Sequence, residues 1–269
     1  MKIKSQCHRT DLFFEEYSGE ITEQENFIII RTPKKPDYYW GNYLIFRDPP
    51  KLTDVNIWTK QFDDIFKSVE GNQHRSLSWD VDGMAPPLER DVINAFEAAG
   101  YGYIPNISHE LGDLTAYAFM NDDIEVRPVS TDQEWADVFE TQYLCWVKDF
   151  EPVGFRQFKE WQVRRWQELV KLGRGCWFGA YKEGQHAGNA GVFWSDSFAR
   201  YQSVSVHPDY RGMGICGTLV HNISQWVAAN KEVQSQVIVA EEDTSAMKIY
   251  QSLGFRPKER IEQFFMCED

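Results

Sequence analysis

Arg211, Gly212 and Gly214 stand between a short valine-bearing run, Val204 to Val206, and an apolar stripe of Ile215, Leu219, Ile223, Trp226 and Val227. Residue types in that order suit one task, the holding of a pyrophosphate. Pro208 has no N–H to donate, so the strand ends before it. The three- to four-residue spacing of the stripe predicts a helix from about Gly214. Unpaired N–H groups and the positive end of the helix dipole then face the turn, the two glycines leave the backbone open to an anion, and Arg211 adds a formal charge.

Three enzyme classes use such a loop. Gly212, Gly214 and Gly217 satisfy GxGxxG, a dinucleotide fingerprint, and Glu241 follows a later apolar run where a ribose-binding acid would stand. Only 28 residues (269 minus 241) follow Glu241, too few for the second half of a doubly wound nucleotide domain. A P-loop needs Gly-Lys followed by Ser or Thr, and a kinase glycine loop runs into a strand, whereas Cys216, Gly217 and Thr218 lead into a helix. The third class is acyl transfer from coenzyme A, and a second segment favours it. Ala246 to Phe255, AMKIYQSLGF, reads as a helix after a strand at Gln236 to Ala240, with Asp243 or Thr244 as N-cap and Gly254 as C-cap. If the two strands are neighbours, Tyr250 points its hydroxyl toward the turn, and a phenol can donate a proton to a departing thiolate.

VxVxPxYRGxGIxG followed by DxxAxxxYxxxGF resembles the GNAT superfamily of N-acetyltransferases, over roughly Ile124 to the C-terminus. The resemblance implies an α+β fold with a mixed central sheet flanked by helices. It also implies acetyl-coenzyme A, or another short acyl-coenzyme A, as cosubstrate and a primary amine of a small molecule or peptide as acceptor. Cofactor contacts then fall on Val204, Val206, Arg211, Gly212, Met213, Gly214, Ile215, Cys216, Gly217, Asp243 and Tyr250. Tyr250 protonates the sulfur, and backbone N–H groups near the end of the first strand hold the oxyanion. Cys216 departs from the superfamily's glycine or alanine; its thiol is expected to shift the pyrophosphate slightly and to expose the site to alkylation. Asp243 replaces the usual asparagine and is expected to keep a helix cap. Many relatives carry a general base on the first long strand, where this chain has Gln202, so Glu241 and Glu242 stand as the candidate catalytic bases. The missing base motivates one rival, a non-catalytic acyl-coenzyme A sensor or scaffold. The glycine fingerprint motivates another, a dinucleotide-binding oxidoreductase.

Composition bounds the rest. A chain of 269 residues, 42% of them hydrophobic, suits two domains with ordinary cores. A net charge of −13 disfavours nucleic acid and anionic membrane as partners and favours a cationic substrate. Cys7, Cys145, Cys176, Cys216 and Cys267 are odd in number and lack CxxC or histidine spacing, which indicates neither a disulfide frame nor a metal site and fits a reducing cytoplasm. MKIKSQCHRT lacks the apolar stretch of a signal peptide, and no run reaches membrane-spanning length. The oligomeric state stays open.

The elements that must position these residues recur in the N-terminal half. Val92 to Tyr101 overlays Ala246 to Phe255, with Phe96 on Tyr250 and Gly100 on Gly254. Upstream, Asn42 to Pro50 resembles the strand and turn, Ile57, Trp58, Phe62, Ile65 and Phe66 mark a helix, and Ser76 to Trp79 a strand. Arg47, Asp48, Pro49 and Pro50 replace the glycine turn, and Phe96 lacks a hydroxyl, so this copy is expected to hold no pyrophosphate. The expected division is 1–122, a degenerate acyltransferase-like domain, and 123–269, a GNAT-like domain, in tandem. Within the latter, Ser130 or Thr131 caps a helix, and Cys176 to Tyr181 with Ala187 to Trp194 forms a hairpin turning at Glu183 and Gly184. Between them lie residues 143–172, which the resemblance implies cover the acceptor; Asp149 and Glu151 beside Trp146, Phe150, Phe155, Trp161 and Trp166 would suit a clasp for an ammonium, and amphipathic helix packing accounts for the tryptophans equally well.

Overall fold

The computed structural model describes residues 1–267 and resolves two compact units. The first comprises Met1–Ser108, Val239–Glu242 and the chain from Pro257 onward; the second comprises His109–Ile238 and Asp243–Arg256.

The first unit begins with α1 (Gln6–Ser18), whose first N–H groups, without partners inside the helix, are met by a residue far along the chain. The buried Glu259 carboxylate accepts from Ser5 Oγ at 2.9 Å, Gln6 N at 2.8 Å and Cys7 N at 2.7 Å, an arrangement that satisfies helix-end donors and matches the dipole. β1 (Glu20–Glu23), β2 (Phe27–Arg31) and β3 (Tyr43–Phe46) form an antiparallel meander, with Ile21 opposite Ile30 and Ile29 opposite Leu44. α2 (Asp54–Phe66) crosses to β4 (His74–Trp79), which lies parallel to β3. Val55, Trp58, Phe62 and Phe66 supply its buried stripe. Ile57 falls off the 3.6-residue repeat and is 56% exposed, a correction to the sequence reading. α3 (Arg90–Ala98) brings Phe96 onto the core before β5 (Gly102–Leu111).

The second unit is a meander of β6 (Ile124–Pro128), β7 (Gly175–Lys182), β8 (Gln185–Trp194) and β9 (Phe198–Val206). Between β6 and β7 come α4 (Asp132–Trp146) and α5 (Pro152–Lys171). Thr131 and Glu134 close a capping box that starts α4. Glu183 at φ +50° and Gly184 at φ +78° make the two-residue turn whose twist suits a hairpin. α6 (Ile215–Asn230) then crosses to β10 (Ser235–Glu241), parallel to β9, and α7 (Ser245–Ser252) follows. The last strand, β11 (Phe255–Cys267), rejoins the first unit antiparallel to β4, with Phe264 opposite Leu77. There Phe264 stacks on Phe96 at 4.1 Å, while Trp58 stacks on Phe46 at 3.8 Å.

The fold is thus α+β with mixed sheets flanked by helices, and the two halves share a plan. β3-α2-β4-α3 and β9-α6-β10-α7 each join two parallel strands by one helix and add a second helix. Each second helix is followed by a left-handed glycine, Gly100 at φ +93° and Gly254 at φ +103°. The division at residues 122 and 123 remains a proposal about kinship between the halves.

Replacing Glu259 with alanine strips the α1 terminus of a charged acceptor shared by three donors. The expected cost is about 2–3 kcal/mol, read as a lower denaturant midpoint for the transition of the first unit.

Candidate functional site

β9 ends at Val206, and one 3-10 turn, Pro208–Tyr210, leads to Arg211 in extended conformation. Gly212 at φ +79° and Gly214 at φ +74° then take backbone conformations that a side chain strains. No side chain caps the N-terminus of α6, so its first N–H groups are free to meet an anion. Arg211, Gly212 and Met213 are exposed, whereas Ile215 is a core residue and can offer a ligand only its backbone.

The segment 112–121, to which the sequence reading gave no role, supports this turn. Gly112 N donates to Gly254 O at 3.1 Å, and Thr115 N to Leu253 O at 2.9 Å. Asn121 N donates to Thr218 Oγ1 at 3.0 Å, and Asn121 Nδ2 to the Met213 carbonyl at 2.9 Å. A Cβ on Gly214 would collide with the Phe119 carbonyl, and one on Gly217 with the Tyr117 ring. Both glycines are therefore accounted for by close approach of the chain's own strap, while a Cβ on Gly212 would meet open space. The third glycine of the fingerprint answers to Tyr117. Tyrosine and asparagine in an irregular segment carry no periodic signal, which is why the strap was missed.

Tyr250 lies on α7 and is only 4% exposed. Burial, then the neighbouring Cys216, pushes its phenol well above its ordinary pKa, so it stays protonated. A protonated phenol can donate a hydrogen bond. Burial also pushes the Cys216 thiol up to about 12, which makes it a poor nucleophile and sets it apart from the alkylation-prone group expected from the sequence. Thr244 caps α7, its oxygen accepting from Met247 N at 3.4 Å, and Asp243 instead takes a left-handed conformation at φ +62°. Of the two expected caps, Thr244 is the one used, and Asp243 does not keep the cap expected of it.

Glu241 is exposed, and Glu242 pairs with Arg260 in the first unit through two bonds, Nη1 to Oε2 at 2.7 Å and Nη2 to Oε1. That guanidinium holds the Glu242 carboxyl below the usual range, which weakens it as a base. Val204 and Val206 are half-buried, and the Cys145 thiol on α4 contacts the Val206 carbonyl at 3.3 Å. The register between β9 and β10 covers three pairs, Phe198 to Arg200 opposite Ser235 to Val237, and then stops although both strands continue.

In the α4–α5 segment the packing alternative accounts for several of these groups. Glu151 caps α5, accepting from Val153 N at 2.9 Å and Gly154 N at 2.6 Å, and those bonds lower its carboxyl pKa. Phe150 stacks on Phe155 at 4.7 Å, and Trp166 stacks on Trp177 at 4.5 Å. The ammonium that these rings do hold belongs to the protein. Lys159 Nζ lies 5.6 Å from the Phe155 centroid and 5.8 Å from those of Phe158 and Trp166, with Gln162 Oε1 at 2.8 Å. Desolvation pulls its pKa down to about 8.

Residues 122–255 match the Acetyltransferase (GNAT) family. No curated protein matches the chain. Among solved structures, a functionally unknown conserved protein from Staphylococcus epidermidis is 16% identical, with 93% of this chain and 95% of that one covered at a TM-score of 0.70. A GCN5-related N-acetyltransferase from Kribbella flavida is 13% identical, covering 99% and 96% at 0.65. A tandem GNAT protein from the clavulanic acid biosynthesis pathway is 17% identical, covering 77% and 67% at 0.53. These likenesses show the fold. Among the described residues, no helix is long and apolar enough to cross a membrane, and no cluster of three or more metal-ligating side chains occurs.

The Lys159 shift fixes a pH dependence. The unfolded chain binds this proton up to about pH 10.5 and the folded protein only up to about 8, so the penalty is full below pH 8 and fades as pH rises through that window. Lys159→Met should raise the melting temperature at pH 7, relieving on the order of 3 kcal/mol, and melts repeated at pH 10 should show a smaller gain.

Proposed function

Residues 122–255 belong to the GNAT acetyltransferase family, and on that premise we propose that this protein moves an acetyl or other short acyl group from acyl-coenzyme A to a primary amine of a small molecule or peptide. The observation that carries the reading is the uncapped α6 N-terminus beside Arg211, with a protonated Tyr250 hydroxyl on the neighbouring α7. The pyrophosphate is to be met by backbone N–H groups of the turn from Arg211 to Gly217 and by the arginine charge. Gly212 leaves open space for it, and Asn121 pins the Met213 carbonyl behind the turn.

The reaction follows from these placements. A neutral amine nitrogen adds its lone pair to the thioester carbonyl, and the oxyanion is received by peptide N–H groups of β9 beyond Arg200. The carbon–sulfur bond then breaks, Tyr250 gives its proton to the leaving thiolate, and the amine's surplus proton leaves to a base or water, which restores the phenol. Amide and coenzyme A thiol are the products. Holding the two reactants in near-attack geometry supplies much of the acceleration.

One observation favours a second reading, a non-catalytic acyl-coenzyme A sensor: Gln202 cannot serve as a base, and Glu242 is engaged by Arg260. Turnover decides between them. Incubation with acetyl-coenzyme A and a panel of amines and peptides, followed by thiol release, should show amine-dependent coenzyme A formation; tight binding without release would select the sensor.

Two variants test the roles. Tyr250→Phe should lower kcat by roughly 10²-fold while the Kd for acetyl-coenzyme A changes little, and an unchanged kcat removes Tyr250 as the acid. Arg211→Ala and Asn121→Ala should instead weaken acetyl-coenzyme A binding measured by calorimetry; undiminished affinity in both would count against the turn as the cradle.

A further inference from the structure

β9 departs from a regular strand at one place. Asn189 pairs with Ser205 and Gly191 with Gln202, so Ala190 on β8 faces two residues of β9, Ser203 and Val204. Ser203 is the extra residue and takes φ +52°, a left-handed conformation that serine adopts at a cost. Valine alternation around Val204 and Val206 hides the bulge in the sequence.

A buried glutamine from α4 clamps that serine on both sides. Gln142 Nε2 donates to the Ser203 carbonyl at 2.7 Å and to Asn189 Oδ1 at 2.8 Å, while its Oε1 accepts from Ser203 Oγ at 2.7 Å. Trp177 Nε1 donates to the same Asn189 oxygen at 3.2 Å. Gln142, Asn189 and Trp177 are all buried. The chemistry fixes the orientation of the glutamine amide, because reversal would set its oxygen against two acceptors. A buried polar knot and a strained backbone therefore coincide on the strand whose ladder with β10 has just ended at Arg200. Strain kept in place by surrounding bonds is the kind of outlier from which a functional hypothesis is drawn.

We infer that Gln142 is a positioning residue: by holding Ser203 left-handed it aims the following peptide groups of β9 at the acyl carbonyl. The inference rests on the acyl-coenzyme A reading and deepens it, since it assigns to α4 the upkeep of the surface that polarises the thioester. Gln142 does not touch the reacting atoms; it acts through the backbone.

The test uses the full chain with [1-13C]acetyl-coenzyme A and isotope-edited infrared spectroscopy of the bound thioester carbonyl. In the unaltered protein the band should lie below its position in free acetyl-coenzyme A. Gln142→Met, which keeps length but loses all three bonds, should return the band most of the way while the Kd stays within about threefold. Measured in a Ser203→Gly background, where left-handed backbone needs no clamp, the same substitution should move the band much less. A band unmoved by Gln142→Met with binding intact, or moved equally in both backgrounds, would overturn the inference and leave the function standing. Failure of the unaltered protein to bind acetyl-coenzyme A would overturn both. If Gln142→Met does not fold, Ser203→Ala, at a half-buried position, should move the band part of the way, and an unmoved band there would sink the inference as well.

Discussion

The parallel pairing of β9 with β10, which lasts only from Phe198 to Arg200, is the constraint on which the second unit's site depends. Parallel strands cannot be joined by a tight turn and require a crossover. That crossover is α6, and its start necessarily falls just past the carboxyl end of β9. The free N–H groups of a helix and the outgoing end of a strand are thus brought together by topology. Early termination of the ladder leaves β9 peptide groups beyond Arg200 outside it, and the bulge at Ser203 turns the strand where that happens.

Electrostatics sharpens the picture. A chain of net charge −13 repels a polyanion such as coenzyme A at long range. On the proposed reading the attraction is local, from the α6 dipole, the backbone donors and Arg211 within a few ångströms, where salt screening is weak. Titratable groups near this region are correspondingly held neutral by burial: Tyr250, Cys216, and His186, whose imidazole is pushed down to about 4.

The first unit repeats the plan without the chemistry. Phe96 sits on α3 where Tyr250 sits on α7, and Gly100 matches Gly254 in backbone sign. Yet β3 leads into Arg47, Asp48, Pro49 and Pro50, with no left-handed glycine pair before α2. Phe96 has become the centre of an aromatic stack with Phe264 and Trp58. Its position serves packing.

Local physics was legible in the sequence alone. Stripe spacing marked α2 and α6, Pro208 marked the end of β9, Ser130 or Thr131 marked the start of α4, and Glu183-Gly184 marked the hairpin, because each depends on neighbours within a few residues. The paired motifs around Arg211 and Tyr250 likewise pointed to the family that residues 122–255 match. Tertiary structure decided what depends on residues far apart in the chain. Glu259 caps a helix 252 residues away, Asn121 braces Met213, Gln142 pins Ser203, and Arg260 claims Glu242. None of these partners is set by spacing, since a hydrogen bond between distant segments exists only once packing has brought a donor and an acceptor within about 3 Å.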